Sequence, residues 1–199
     1  QVDDFGIDEQ KIRRIVVLHS HFDHCGMVPF LKRRWPWVTV TASRKSQELL
    51  GKQKVIDSIE MLNQAMIAQN GLTGNGQALD LRFSGIEVDA VVGEGDVLAC
   101  SDLSLEIMEV PGHSSCSIAV YIPEEKALFA SDAGGIPFGD KIFTAANANF
   151  DLYQQSLEKM AAVIDYYCQI AGDAHHVGIG SDFDGGFGWQ HIPREVDTI

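Results

Sequence analysis

The run His19-Ser20-His21-Phe22-Asp23-His24, set directly after the apolar stretch Ile15-Val16-Val17-Leu18, constrains this chain more than any other feature. Three imidazoles and a carboxylate within six positions have no packing use of their own. A strand ending there predicts that all four side chains are delivered to one loop at a sheet edge. Neutral imidazole nitrogens and a carboxylate oxygen suit zinc, and also iron or manganese. A solvated polar turn explains the spacing poorly, and the run is read as a metal site.

A chain of 199 residues is long enough for one full core with a small appendage. Its formal net charge of −13 gives an acidic surface that repels phosphate backbones, which argues against a nucleic-acid partner. The one dense basic run, Lys32-Arg33-Arg34, is expected to be a solvated helix end. Cys25, Cys100, Cys116 and Cys168 are scattered without a C-x-x-C pair, so no disulfide framework is expected and a reducing cytoplasm is the default location. No apolar run reaches membrane-spanning length and no secretory leader is visible, so no membrane partner is expected. The chain starts with Gln1 and reads as an excerpt of a longer one.

The coarse pattern is strand 12–18, helix 26–34, strand 38–41, and a helix to Leu50 capped by Ser43. Val55, Ile59, Leu62 and Met66 recur at helical spacing over 54–69. That apolar face is expected to pack in the core or against a second copy in a homodimer. Gly71–Gly76 reads as a loop, and no Lys-Ser/Thr follows it as a phosphate cradle would require. Strands are then expected at 86–92, 96–99, 103–110, 117–122 and 127–131, and a long helix over 151–170 with Gly172 as its stop. This order predicts an α/β protein with two sheets and helices outside them.

Two further ligands stand where a strand-end site would need them. His113 follows the strand ending at Val110, and Asp132 follows the strand ending near Ala130, each flanked by small residues. Cys25 and Cys116, neighbours of these groups, are read as small packed residues, and Ser114 and Ser115 as hydrogen-bond partners that hold the His113 loop.

With these residues in hand, the chain from Gln1 to about Met160 resembles the metallo-β-lactamase superfamily of αββα-sandwich metallohydrolases. The resemblance implies that His19, His21 and His113 hold one divalent metal, that Asp23 and His24 hold a second, and that Asp132 bridges the two. Zinc is the first expectation for both ions. Asp23 would also orient the attacking hydroxide, which makes it the candidate catalytic residue. His24-Cys25-Gly26 and the helical insert at 54–69 are most similar to the thioesterase-like and glyoxalase II-like branches. The implied activity is hydrolysis of an ester, thioester or related carbonyl in a small-molecule substrate.

The superfamily pattern asks for one more histidine after Asp132, in a Gly-His-Gly-like turn that this chain lacks. His175, His176 and His191 remain, and His175 precedes an apolar strand where the expected ligand follows one. The stretch His176–Gly186, with Gly180-Ser181-Asp182-Phe183-Asp184-Gly185, resembles instead the membrane (renal) dipeptidase family, in which the position of Asp182 faces the active site. The expected organisation is therefore a metallohydrolase domain over 1–162, incomplete at its N-terminus, joined to a dipeptidase-like segment over 163–199. The alternatives to a metallo-β-lactamase-type hydrolase are a dipeptidase fragment and a metal-binding pseudo-enzyme.

Overall fold

Parallel strands open the chain: β1 (Arg14–Val17) lies beside β2 (Thr39–Ser43), with Arg14 opposite Thr39 and Val17 opposite Ala42. This is seen in a computed structural model that describes residues 6–70, 80–138, 141–143, 146–171 and 178–180. The chain divides into two compact units, Gln1–Val91 and Val92–Ile199.

In the first unit, β2 is buried from Val40 through Ser43, as a strand covered on both faces must be. Between β1 and β2 run two helices, α1 (Phe22–Cys25) and α2 (Val28–Arg34). A single helix over 26–34 was expected. The chain makes two because Pro29, in the first turn of α2, has no N–H to give to Cys25 and so cannot continue α1. Ser43 caps α3 (Arg44–Leu50), its hydroxyl accepting from Ser46 N, as the sequence predicts. The amphipathic segment is α4 (Gln53–Gln69), which buries Ile59 and leaves Met61 and Leu62 exposed. Val17, Cys25, Val28, Val40, Leu50, Ile59 and Phe83 form this unit's core.

Only Ala90–Val92 (β3) of the expected strand 86–92 is a strand, and it extends the sheet in the order β1-β2-β3. Ladder pairing fails upstream because the Asp89 carboxylate takes the Val40 N–H itself, at 2.7 Å, while Asp89 N reaches Val40 O. Lys32 Nζ lies 2.7 Å from the same carboxylate. The basic run is the last turn of α2, with Arg33 and Arg34 exposed as expected, and it also makes ties: Lys32 holds Asp89, Arg33 holds the carbonyls of Asp80 and Arg82, and Arg34 holds Glu9.

Hydrogen bonds from Lys32 and from Val40 N hold the Asp89 carboxyl below its ordinary range. A depressed folded pKa means stability that is present above about pH 3.9 and is lost as pH falls through the lowered value. Asp89→Asn is expected to destabilise the chain by about 1–2 kcal/mol near pH 7. The gap between variant and parent should close as pH falls into that acid range, measured by chemical denaturation at several pH values.

In the second unit, β4 (Val97–Cys100), β5 (Leu103–Glu109), β6 (Ile118–Ile122) and β7 (Ala127–Phe129) form an antiparallel meander. These match the expected strands to within a residue or two at their ends. A short hairpin, β8 (Ile136–Phe138) with β9 (Lys141–Phe143), was not anticipated. The long helix α5 (Phe150–Ala171) starts at Asn149, whose side chain accepts from Leu152 N, and passes unbroken through position 162. It buries Tyr153, Ser156 and Met160 along one face. Last comes β10 (Gly178–Gly180), parallel to β7, which gives the sheet order β10-β7-β6-β5-β4. The loop at 71–76, Gly172, His175, His176, Asp182 and His191 lie outside the described residues. No helix among the described residues is long and apolar enough to cross a membrane.

Candidate metal centre

The first half of the site begins where β1 stops. Val17 is buried, and the chain then carries His19, wholly buried, and Ser20 inward. His21 holds an extended backbone (φ −72°, ψ 150°), and its carbonyl accepts from His24 N and Cys25 N, both at 3.1 Å. The run therefore does not lie in one loop, as its spacing suggested. His19 and His21 are in the loop, while Asp23 and His24 ride on the single turn α1. Phe22 and Cys25 drive that turn, because both belong to the core at helical spacing.

Helix α4 holds the turn in place, with Asn63 Nδ2 donating to Gly26 O at 3.2 Å. A side chain at Gly26 would meet Asn63 and Phe22 O at 2.5 Å. The three rings pack closely, His19 to His21 at 4.6 Å and His19 to His24 at 4.1 Å between centroids. Asp23 Oδ2 is 3.7 Å from His24 Nε2 and is the more solvent-exposed of that pair.

The second half is built by two turns of the second unit. After β5, Val110 N bonds Ser117 O and Gly112 N bonds Ser114 O at 3.1 Å, closing a tight turn around His113. Inside that turn Ser114 Oγ contacts Ser117 Oγ at 2.7 Å and Cys116 Sγ at 3.3 Å, all of them buried. Ser114 thus holds the loop as expected, whereas Ser115 is exposed. Cys116 and Cys25 are both buried, in keeping with their reading as packed small residues.

After β7 the backbone makes a 3-10 turn, Ser131–Gly134, that carries Asp132. Ser131 is held at φ +50°, a left-handed conformation that costs a non-glycine residue about 1–2 kcal/mol. His113 Nε2 is 3.1 Å from Asp132 Oδ2, with side chains 2% and 5% exposed. A carboxylate this deeply buried needs such a partner, or a cation, to remain charged.

The donor chemistry fits a divalent metal: His19 and His21 in the first unit, and His113 and Asp132 in the second, are groups that could hold a metal ion. Asp23 and His24 are not among these groups. Sequence reasoning missed Asn63, Ser117 and Ser156, which touch the turns that carry the candidate ligands. The legible signal was a glycine beside each ligand run, Gly26 and Gly112, marking backbone that another element approaches closely.

The comparisons agree with this chemistry. The chain is 26% identical over 117 residues to the acyl-coenzyme A thioesterase MBLAC2 of Homo sapiens, a match covering 59% of this chain and 39% of that protein. It is 23% identical over 174 residues to the hydroxyacylglutathione hydrolase of Bradyrhizobium sp. (strain BTAi1 / ATCC BAA-1182), covering 86% of this chain and 53% of that one. The chain thus spans about half, or less, of these curated relatives. Among solved structures, the metallo-beta-lactamase superfamily protein ST1585 from Sulfolobus tokodaii superposes with a TM-score of 0.55 at 17% identity, covering 76% of this chain and 57% of that one. The metallo-beta-lactamase family protein TTHA1429 from Thermus thermophilus does so with a TM-score of 0.55 at 18% identity, covering 81% and 55%. These likenesses give the fold. The family profile spans residues 2–166, from before β1 into α5, and so takes in the His and Asp groups of each unit: this chain belongs to the metallo-beta-lactamase superfamily.

Proposed function

We propose that this chain is a metal-dependent hydrolase acting on a thioester, or a related carbonyl ester, of a small molecule. In this reading His19, His21 and His113 hold one divalent ion, Asp23 and His24 contribute to a second, and Asp132 serves both. The observation that carries it is the packing of two further imidazoles, those of His21 and His24, around the wholly buried His19, directly beyond a strand end. Apolar packing gives no reason for such a cluster, and ligation does. Relatives named as a thioesterase and as a hydroxyacylglutathione hydrolase support the substrate class.

A bound divalent cation supplies hydroxide at neutral pH, by lowering the pKa of water to about 7, and polarises a carbonyl. The protein's own groups do the remainder. Buried His19 and His113 fix the ligand sphere away from bulk water. Asp23, on the exposed side of α1, would orient the attacking hydroxide through its carboxylate. The buried contact between His113 and Asp132 keeps the second unit's two donors in register before any cation arrives.

Reconstitution with zinc, iron or manganese and assay against a panel of acyl thioesters, esters and lactones tests the proposal. Turnover is expected, with a loss on chelation and a fall in kcat of about 10²–10⁴ in Asp23→Ala. A metal-loaded sample inert across the panel would favour a non-catalytic metal-binding protein, and a titration showing no bound metal would overturn the reading altogether.

A further inference from the structure

We propose that α5 is the brace for both donors of the second unit, and that Ser156 is the positioning residue for His113. Three donors from the start of this helix converge on the two peptide carbonyls just before His113. Ser156 Oγ, buried, donates to Pro111 O at 2.7 Å. Ala148 N and Asn149 N both donate to Gly112 O at 3.0 Å. Gly112 sits at φ +134°, and a side chain there would overlap the backbone of Tyr153. The turn therefore lies directly on the helix, with no side chain between them.

The same helix face reaches the other donor. Met160 belongs to one buried cluster with Ala130 and Ala133, the residues that flank the Asp132 turn. Lys159, on the next turn of the helix after Ser156, anchors Glu94 and the carbonyl of Glu109 at the end of β5. One rigid element thus sets both members of the His113–Asp132 pair. Among these ties, the Ser156 hydroxyl bonds the peptide leading into His113 directly. Without that bond the Pro111–Gly112 peptide gains freedom to rotate, and His113 moves with it. Metal sites lose affinity when such supporting groups are removed.

This inference rests on the reading of His113 as a metal ligand. The test compares the full chain with Ser156→Ala, Ser156→Thr, Ser156→Val and, as a control for general destabilisation, Ile107→Val in β5. Zinc affinity is read by chelator competition, ligand geometry by the absorption bands of the cobalt-substituted protein, and stability by the thermal midpoint of the metal-free chain. Ser156→Ala and Ser156→Val are expected to weaken zinc binding by about 10–100-fold and to shift the cobalt bands. Ser156→Thr, which restores the hydroxyl, should stay near the parent on both readouts, and Ile107→Val should lower the thermal midpoint without altering either. The Thr and Val variants have the same shape, so their difference isolates the hydroxyl even where the Ala variant folds poorly. Equal affinity and spectra for Thr and Val would overturn the positioning role while leaving the metal site intact. A parent chain that takes up no zinc would overturn the functional reading itself, and this inference with it.

Discussion

Replacing His113 with alanine is expected to abolish high-affinity metal binding and to cut turnover by at least about 100-fold, a lower bound set by the loss typical of mere supporting groups. The argument is one of burial as much as of ligation. His113 is 2% exposed and lies 3.1 Å from the carboxylate of Asp132. Its removal takes away a ligand nitrogen and leaves a buried carboxylate without that partner, at a cost of about 1–3 kcal/mol or more. The variant should therefore lose stability even when stripped of metal. Elemental analysis, turnover and denaturant unfolding of the metal-free chain, run side by side, check this. A variant with full metal content and unchanged stability would show that His113 is only a loop residue.

Among the described glycines, Gly112→Ala should carry the largest stability effect. Two costs add there: a left-handed φ of +134°, and a Cβ placed on the backbone of Tyr153. Backbone strain and overpacking are each worth about 1–3 kcal/mol, so the sum is about 3 kcal/mol or more. Gly95 provides the control, since it also has positive φ (+79°) but open space around its Cα. Gly95→Ala should show the conformational cost alone, about 1–2 kcal/mol. The difference between the two variants, measured by urea unfolding, reports how tightly α5 presses on the turn before His113. Equal losses would mean that the helix yields easily.

The candidate ligands stood out in the sequence because their signal is local. Imidazoles at strand ends stand out against an apolar background, and Gly112-His113 and Asp132-Ala133-Gly134 both follow recognisable strands. The antiparallel meander was legible for the same reason, since alternation and turns are short-range. What escaped depends on groups distant in the chain. The lost ladder at 86–89 follows from an Asp89 carboxylate competing for Val40 N–H, a choice no periodicity records. The pairing of Lys32, Arg33 and Arg34 follows from where Asp89, Asp80 and Glu9 come to lie. Division of 22–34 into two helices could have been read from Pro29, had Phe22 and Cys25 been weighed as core residues. Ser156 looked like any helical serine, and only its place against Pro111 gives it a role.

The connectivity of the five-stranded sheet also sets an order of events for the nascent molecule. β4 through β7 are joined by short turns, so their pairing needs little loop-closure entropy and can form within microseconds to milliseconds. β10 must wait for the whole of α5 before Gly178 can find Ala127, because a parallel neighbour requires a long crossover. The turns bearing His113 and Asp132 are thus sketched early by the meander and become rigid only when the helix docks. A cation held by both turns would add its binding free energy to the folded state that the docked helix completes.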